Sequence, residues 1–250
     1  MTNAIYTVWL RNMKRYFRSK SRIIGSLAQP LLFLLVLGFG LGSIISSSSS
    51  GGVNYLQFIT PGIITMSVLF TSIFSGIQII WDRQFGFLKE TLVAPVSRIS
   101  IMIGQTLGGA TTAIIQGLIL FIISFFIGGL SLSSGIFIAL IFMILIGVGF
   151  TAMGIAIASR MSDMQGFQLI INFVVMPLFF LSGALFPLTN APSVLKVITY
   201  LNPLTYGVEG VRYGIIGTSS INPLISLIVI GGFSLIMILL GAFSFRKMKI

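Results

Sequence analysis

The chain has 250 residues, 56% of them hydrophobic and 8% charged, with a mean hydropathy of +1.08. A soluble domain carries about a quarter charged residues, so this composition is that of an integral membrane protein. There is no Cys and no His, which excludes disulfides, thiolate and imidazole chemistry and the usual zinc ligands; the net charge of +11 fits basic loops beside anionic lipid, and without a soluble basic domain nucleic acid is not an expected partner.

The first element is "AIYTVWLRNMKRYFRSKSR". At 100° per residue Ile5, Val8, Trp9, Met13, Tyr16 and Phe17 share one broad face, and Arg11, Lys14, Arg15, Arg18 and Arg22 share the other. Residues 1–22 are therefore read as an amphipathic helix in the inner interface, its basic side toward lipid headgroups or cytosol. A plain positive flank that happens to be helical is the alternative. Nothing before the first apolar run resembles a cleavable signal, so that run is expected to be retained.

A helix needs about 20 apolar residues to cross the hydrocarbon core. Six runs qualify, at about 23–45, 58–81, 99–127, 133–159, 167–187 and 221–245. The fold class expected is thus an all-α membrane protein with six transmembrane helices in one domain. With the N-terminus cytoplasmic, only Lys196 and Arg212 of the Lys and Arg residues fall on the outer side; this asymmetry places both termini inside a cell membrane. The serine run "SIISSSSSGG" reads as an external loop.

Between the second and third runs lies "WDRQFGFLKETLVAPVSR", Trp81 to Arg98. Trp81, Phe85, Leu88 and Leu92 follow i, i+4, i+7, i+11, with Asp82, Arg83, Gly86, Phe87, Lys89 and Glu90 spread over the remaining surface. Pro95 ends the pattern. Residues 82–98 are read as a short amphipathic cytoplasmic helix, and Phe87 on its polar side has the mark of a partner contact. A helix that merely caps the bundle gives the same pattern.

The outer segment 188–220 is punctuated by proline, and two short helices are expected, near 193–201 and 203–216. Asn202 serves as N-cap of the second, Pro203 as its first residue and Gly217 as its end. Fourteen residues are too few to span, so this segment is read as external or re-entrant. Glu209 and Arg212 stand i, i+3 and can pair, either as a functional element near the membrane or as a pin for the helix. Within the runs the polar side chains are mostly amides, Gln29, Gln57, Gln78, Gln105, Gln116 and Asn172. Such groups join helices to one another more often than they line a substrate path.

No paired intramembrane carboxylates, serine dyad or metal-ligand cluster is legible, and there is no G-x-x-x-x-G-K-[ST] phosphate loop. The chain is not expected to be an enzyme or to hold a cofactor. If ATP drives it, another subunit must bind the ATP.

The whole layout resembles the type-2 ABC exporter permeases of the daunorubicin-resistance kind. The resemblance is carried by "KETLVAPVSR", Lys89 to Arg98, and "NPLTYGVEGVR", Asn202 to Arg212. Glu209 stands where many members of that family have Asp. The resemblance implies a permease that works with a second copy or a related permease, with membrane lipids around it. Cytoplasmic ATP-binding cassette subunits would supply ATP and Mg. It also implies that 82–98 is a coupling helix, anchored by Trp81, Phe85, Leu88 and Leu92 and presenting Arg83, Phe87, Lys89 and Glu90 to the ATPase, with 160–166 a second contact. The substrates it implies are amphipathic: drugs, antibiotics, lipids or glycolipids moved outward. A secondary transporter or channel without an ATPase, or an assembly protein with no transport cycle, are the rival functions.

Overall fold

The computed structural model describes residues 2–40, 55–87, 96–128, 135–187 and 192–248. Among these residues there are ten helices and no strand. They are α1 (Thr2–Arg18), α2 (Lys20–Gly40), α3 (Tyr55–Phe74), α4 (Ile77–Gln84), α5 (Arg98–Gly128), α6 (Ile136–Ala158), α7 (Met164–Phe180), α8 (Ser193–Leu201), α9 (Pro203–Ile216) and α10 (Pro223–Arg246). The serine run lies outside the described residues.

Among the described residues five stretches are long and apolar enough to cross a membrane: Lys20–Gly40, Tyr55–Gln84, Arg98–Ile127, Ile136–Ala158 and Pro223–Arg246. The stretch expected at 167–187 differs. Its helix is the 17-residue Met164–Phe180, about 26 Å at 1.5 Å per residue, which is short for the core. It starts earlier because Asp163 caps it, accepting from the Gln165 and Gly166 backbone N–H groups. It stops earlier because the chain turns at residues 181–183, where Gly183 has φ +72°.

α6 is the hub, packing against α3, α5, α9 and α10. The apolar side chains of α6 point in all directions, as expected of a helix surrounded by others. Phe142, Ile146 and Phe150 of α6 join Ile63, Ile64 and Leu69 of α3 and Leu204 and Val208 of α9 in the core. α2 and α10, by contrast, leave most of their surface outward, including Leu32, Val36 and Phe39 on α2 and Ile228, Leu235 and Leu239 on α10.

Helices meet in lipid without a hydrophobic drive, so small residues that let backbones touch have a large part in association. One such point is the crossing of α6 with the break between α3 and α4. A Cβ on Gly76 would lie 2.5 Å from the carbonyl carbon of Gly154, and one on Gly154 would lie 2.5 Å from the carbonyl oxygen of Ile73. Gly76 makes room for the main chain of Gly154, and Gly154 for that of Ile73; the break at Ser75–Gly76 turns the last two turns of this long stretch into the separate α4. We predict that Gly154→Val overpacks this crossing by about 1–3 kcal/mol and lowers the helix-melting midpoint of the detergent-purified protein. Circular dichroism at 222 nm checks this, with an unchanged midpoint as the contrary result.

Candidate functional site

One end of the helix bundle is organised by Asp82, on the last turn of α4. It is 2% exposed. Its Oδ1 accepts from Gln78 Nε2 one turn earlier at 2.7 Å, and its Oδ2 accepts from Arg11 Nη2 of α1 at 2.7 Å. Arg15 Nη1, one turn further along α1, stands 3.7 Å from Oδ1, an ion pair beyond hydrogen-bond length. Burial pulls the Arg15 guanidinium below its ordinary pKa range; Asp82 opposes that shift, and the like charges of Arg11 and Arg22 add to it.

Two of the basic residues of α1 therefore turn to Asp82, not to headgroups or cytosol as the helical wheel alone suggested. The rest of α1 is fastened to α5 by side-chain hydrogen bonds. Trp9 Nε1 donates to Thr111 Oγ1 at 3.1 Å, Asn12 Nδ2 to Gln105 Oε1 at 2.7 Å, and Tyr16 Oη to Gln116 Oε1 at 2.9 Å. Gln116 Nε2 in turn donates to Ser26 Oγ of α2 at 2.6 Å. Both glutamines join helices in the manner expected of amides in hydrocarbon. The contacts climb together, Val8 over Gly104, Asn12 over Gly108 and Tyr16 near Gln116, so α1 runs alongside α5 in the same direction. Val8, Met13 and Tyr16 of its apolar face are buried, whereas Phe17 stays exposed.

Beyond Asp82 the chain reaches the loop before α7. Arg83 Nη1 donates to the carbonyl of Met161 at 3.1 Å, and Gln84 Nε2 to that of Ser162 at 3.0 Å. α4 then ends, and Gly86 takes φ +81°. A single helix from Trp81 onward is thus interrupted at Gly86, where a left-handed residue breaks the i, i+4 stripe. Phe85 is 65% exposed and Trp81 42% exposed. They meet edge to face at a centroid separation of 6.0 Å. Their expected anchoring into this chain's core is not what is found for Phe85, because the stripe that would bury it stops one residue later. Phe87 is 54% exposed, on the surface as the pattern indicated. Leu88, Lys89, Glu90 and Leu92 lie outside the described residues.

Arg98 opens α5, where its Nη1 donates to the carbonyls of Arg246 at 2.9 Å and Met248 at 3.1 Å. A cation at a helix C-terminus satisfies carbonyls that have no partner in the helix and complements the helix dipole. Between α1, α2, α3, α4 and α5 lies a cavity of about 390 Å³.

At the other end of the bundle, Asn202 caps α9 by accepting from Leu204 N, Pro203 takes the first helical position, and Gly217 ends the helix in the left-handed region at φ +83°. Glu209 and Arg212 are 0% and 4% exposed. They pair with each other, and neither stops there. Glu209 also accepts from the Ser220 backbone N–H. Arg212 Nη2 donates to the Gly183 carbonyl at 2.9 Å, and its guanidinium lies 4.1 Å from the centroid of the Phe58 ring. One ion pair thus holds α9, the loop before α10, the turn after α7 and the start of α3 together. Helical spacing indicated the pair; nothing in the spacing indicated the other three elements.

Asp82 is the residue that the helical-wheel reading passed over. The signal for it was present, since it is one of four acids in the chain and stands opposite a strongly basic amphipathic helix.

Residues 3–216 match the ABC-2 type transporter family. The chain belongs to that family. It is 33% identical over 207 residues to the putative transport permease ycf38 of Cyanophora paradoxa, covering 80% of this chain and 71% of that one. To the inner membrane transport permease YadH of Escherichia coli K12 it is 28% identical over 225 residues, covering 89% and 86%. To nodulation protein J of Sinorhizobium fredii it is 26% identical over 208 residues, covering 82% and 78%. The protein is accordingly a multi-pass transmembrane permease of an ABC transporter that associates with an ABC ATPase and has no ATPase activity of its own.

Two predictions follow from the ion pairs. Asp82→Asn leaves Arg11 and Arg15 without their counter-charge; because the Arg11 side chain is a third exposed, the loss is discounted to about 1–3 kcal/mol. It should show as faster amide hydrogen exchange across residues 2–18, and unchanged exchange there would contradict the role given to Asp82. Glu209→Gln strands a cation that is almost wholly buried, at a cost of about 3–5 kcal/mol. The double variant Glu209→Gln/Arg212→Met should regain much of that stability, measured as the thermal midpoint in detergent.

Proposed function

We propose that this permease is the membrane subunit of an exporter, working as two permease copies, or two related permeases, on two cytoplasmic ATPase subunits that bring ATP and Mg. Both termini face the cytoplasm. Amphipathic molecules, whether drugs, antibiotics, lipids or glycolipids, are the substrate class, carried outward. The segment after α4 is the coupling element: Phe87, Lys89 and Glu90 contact the ATPase, and Arg83 braces the segment from behind through the Met161 carbonyl.

The observation that carries this reading is the convergence at the end of α4. Within three residues, Asp82 holds α1, Arg83 holds the carbonyl of Met161, and Gln84 holds that of Ser162. A push on the exposed Phe87 side of Gly86 is delivered to α1 and to the N-terminus of α7 at once. ATP can act only through different affinities for two arrangements of the permease, and a braced segment is the means to pass that difference on. The amphipathic cavity beside α4 supports the substrate class.

The test begins with purification of the chain with its native partners, where an ATPase should accompany it. Phe87→Ala/Glu90→Ala should then weaken docking by about 10–30-fold, the size of an interface hot spot, and uncouple hydrolysis from transport while the permease stays folded. Transport that persists without ATP and without a partner would favour a secondary transporter, and full coupling in the double variant would sink the assignment of this surface.

A further inference from the structure

The cavity enclosed by α1 to α5 has a chemical polarity. One side of its wall follows α4 and α3 from Trp81 back to Met66, about 22 Å at 1.5 Å per residue. Arg15 reaches Asp82, which neighbours Trp81, so its guanidinium lies at the Trp81 end of the wall. Arg22 also lines the cavity, and it acts on Arg15 as a nearby like charge. Toward the other end the wall carries Phe70, Met66 and Pro30. Most of the lining surface is apolar, and no carboxylate is part of it.

The charge at the Trp81 end is out of balance. Arg11 and Arg15 share one acid, Asp82, and Arg22 is a further like charge near Arg15. Asp82 accepts from Arg11 and Gln78, and Arg15 Nη1, 3.7 Å from Oδ1, is a buried donor without a hydrogen-bond partner. Ser67 Oγ, on the wall near the apolar end, is likewise buried without a partner. Leaving a charged donor unmet in a half-buried place is costly, and a bound anion supplies both the acceptor and the missing charge. A volume of about 390 Å³ falls in the roughly 300–1,000 Å³ range of sites for small organic ligands.

We propose that this cavity binds one anionic amphiphile, its phosphate- or carboxylate-bearing head at Arg15 and Arg22 and its apolar part along Phe70 and Met66. The site lies within a single chain and does not depend on the coupling role of the segment after α4. Its occupant is either a resident membrane lipid or transported cargo, which share this chemistry.

Equilibrium binding of radiolabelled dodecyl phosphate to the purified full-length chain in phosphatidylcholine nanodiscs tests it. Saturable binding near one per chain is expected, with neither inorganic phosphate nor dodecyl maltoside competing, because one lacks the chain and the other the charge. Arg22 is exposed at the start of α2, so Arg22→Gln should fold normally and weaken binding about tenfold or more, the size of one charge-assisted hydrogen bond. Thr71→Trp, which fills the cavity without removing charge, should abolish it. Unchanged binding in Arg22→Gln, or equal competition by the neutral detergent or by phosphate alone, overturns the proposal. Repeating the measurement with phosphatidylglycerol in the disc assigns the occupant: loss of dodecyl phosphate binding identifies a resident lipid, and retained binding identifies cargo. ATP-coupled transport is not measured, so failure here leaves the exporter reading standing, and failure of that reading leaves this site standing.

Discussion

A buried carboxylate, in a chain with only four acidic residues, sets the geometry of one end of the bundle. Asp82 cannot be hydrated where it sits, and an ion taken out of water is tolerated only with well-placed partners. Arg11 and Gln78 meet that demand, and in doing so they fix α1 against α4. Once α1 is held, Asn12 and Tyr16 fall opposite Gln105 and Gln116, and the glycines of α5 let the two helices approach. The docking of α1, and the wall that α1 gives the cavity, both trace to this one charge.

The other end of the bundle solves the same problem with a different pair. Glu209 and Arg212 are neighbours on one helix, so their attraction alone would organise little. What makes the pair structural is the spare hydrogen-bonding capacity of both groups, which reaches Ser220, Gly183 and the Phe58 ring. Two polar centres thus stand at opposite ends of the bundle, with the apolar core around α6 between them.

Much of this was legible in the sequence, for physical reasons that can be stated. Long apolar runs have few alternatives in a membrane, so α2, α5, α6 and α10 fall close to their expected limits. The Asn202–Pro203–Gly217 signals name α9 outright, because capping and left-handed geometry are local. The failures come from contacts distant in sequence. A helical wheel assigns the basic face of α1 to water because it knows nothing of Asp82. The stripe from Trp81 through Leu92 ignores Gly86, which is free to take a positive φ and does. Asp163 lies within the segment 160–166 expected before the fifth run, yet its side chain starts α7 ahead of that run. In each case one residue with a special role overrode a periodic pattern that averages over many.

The Arg98 clamp bears on how the molecule is made. Its acceptors lie 148 and 150 residues further along the chain. At a synthesis rate of about 5–20 residues per second, roughly 7–30 s pass between translation of the guanidinium and of the carbonyls it will hold. During that interval the first turn of α5 presents an unmatched cation. A chain stalled before α10 keeps that cation unmatched, so the clamp distinguishes a finished bundle from an interrupted one.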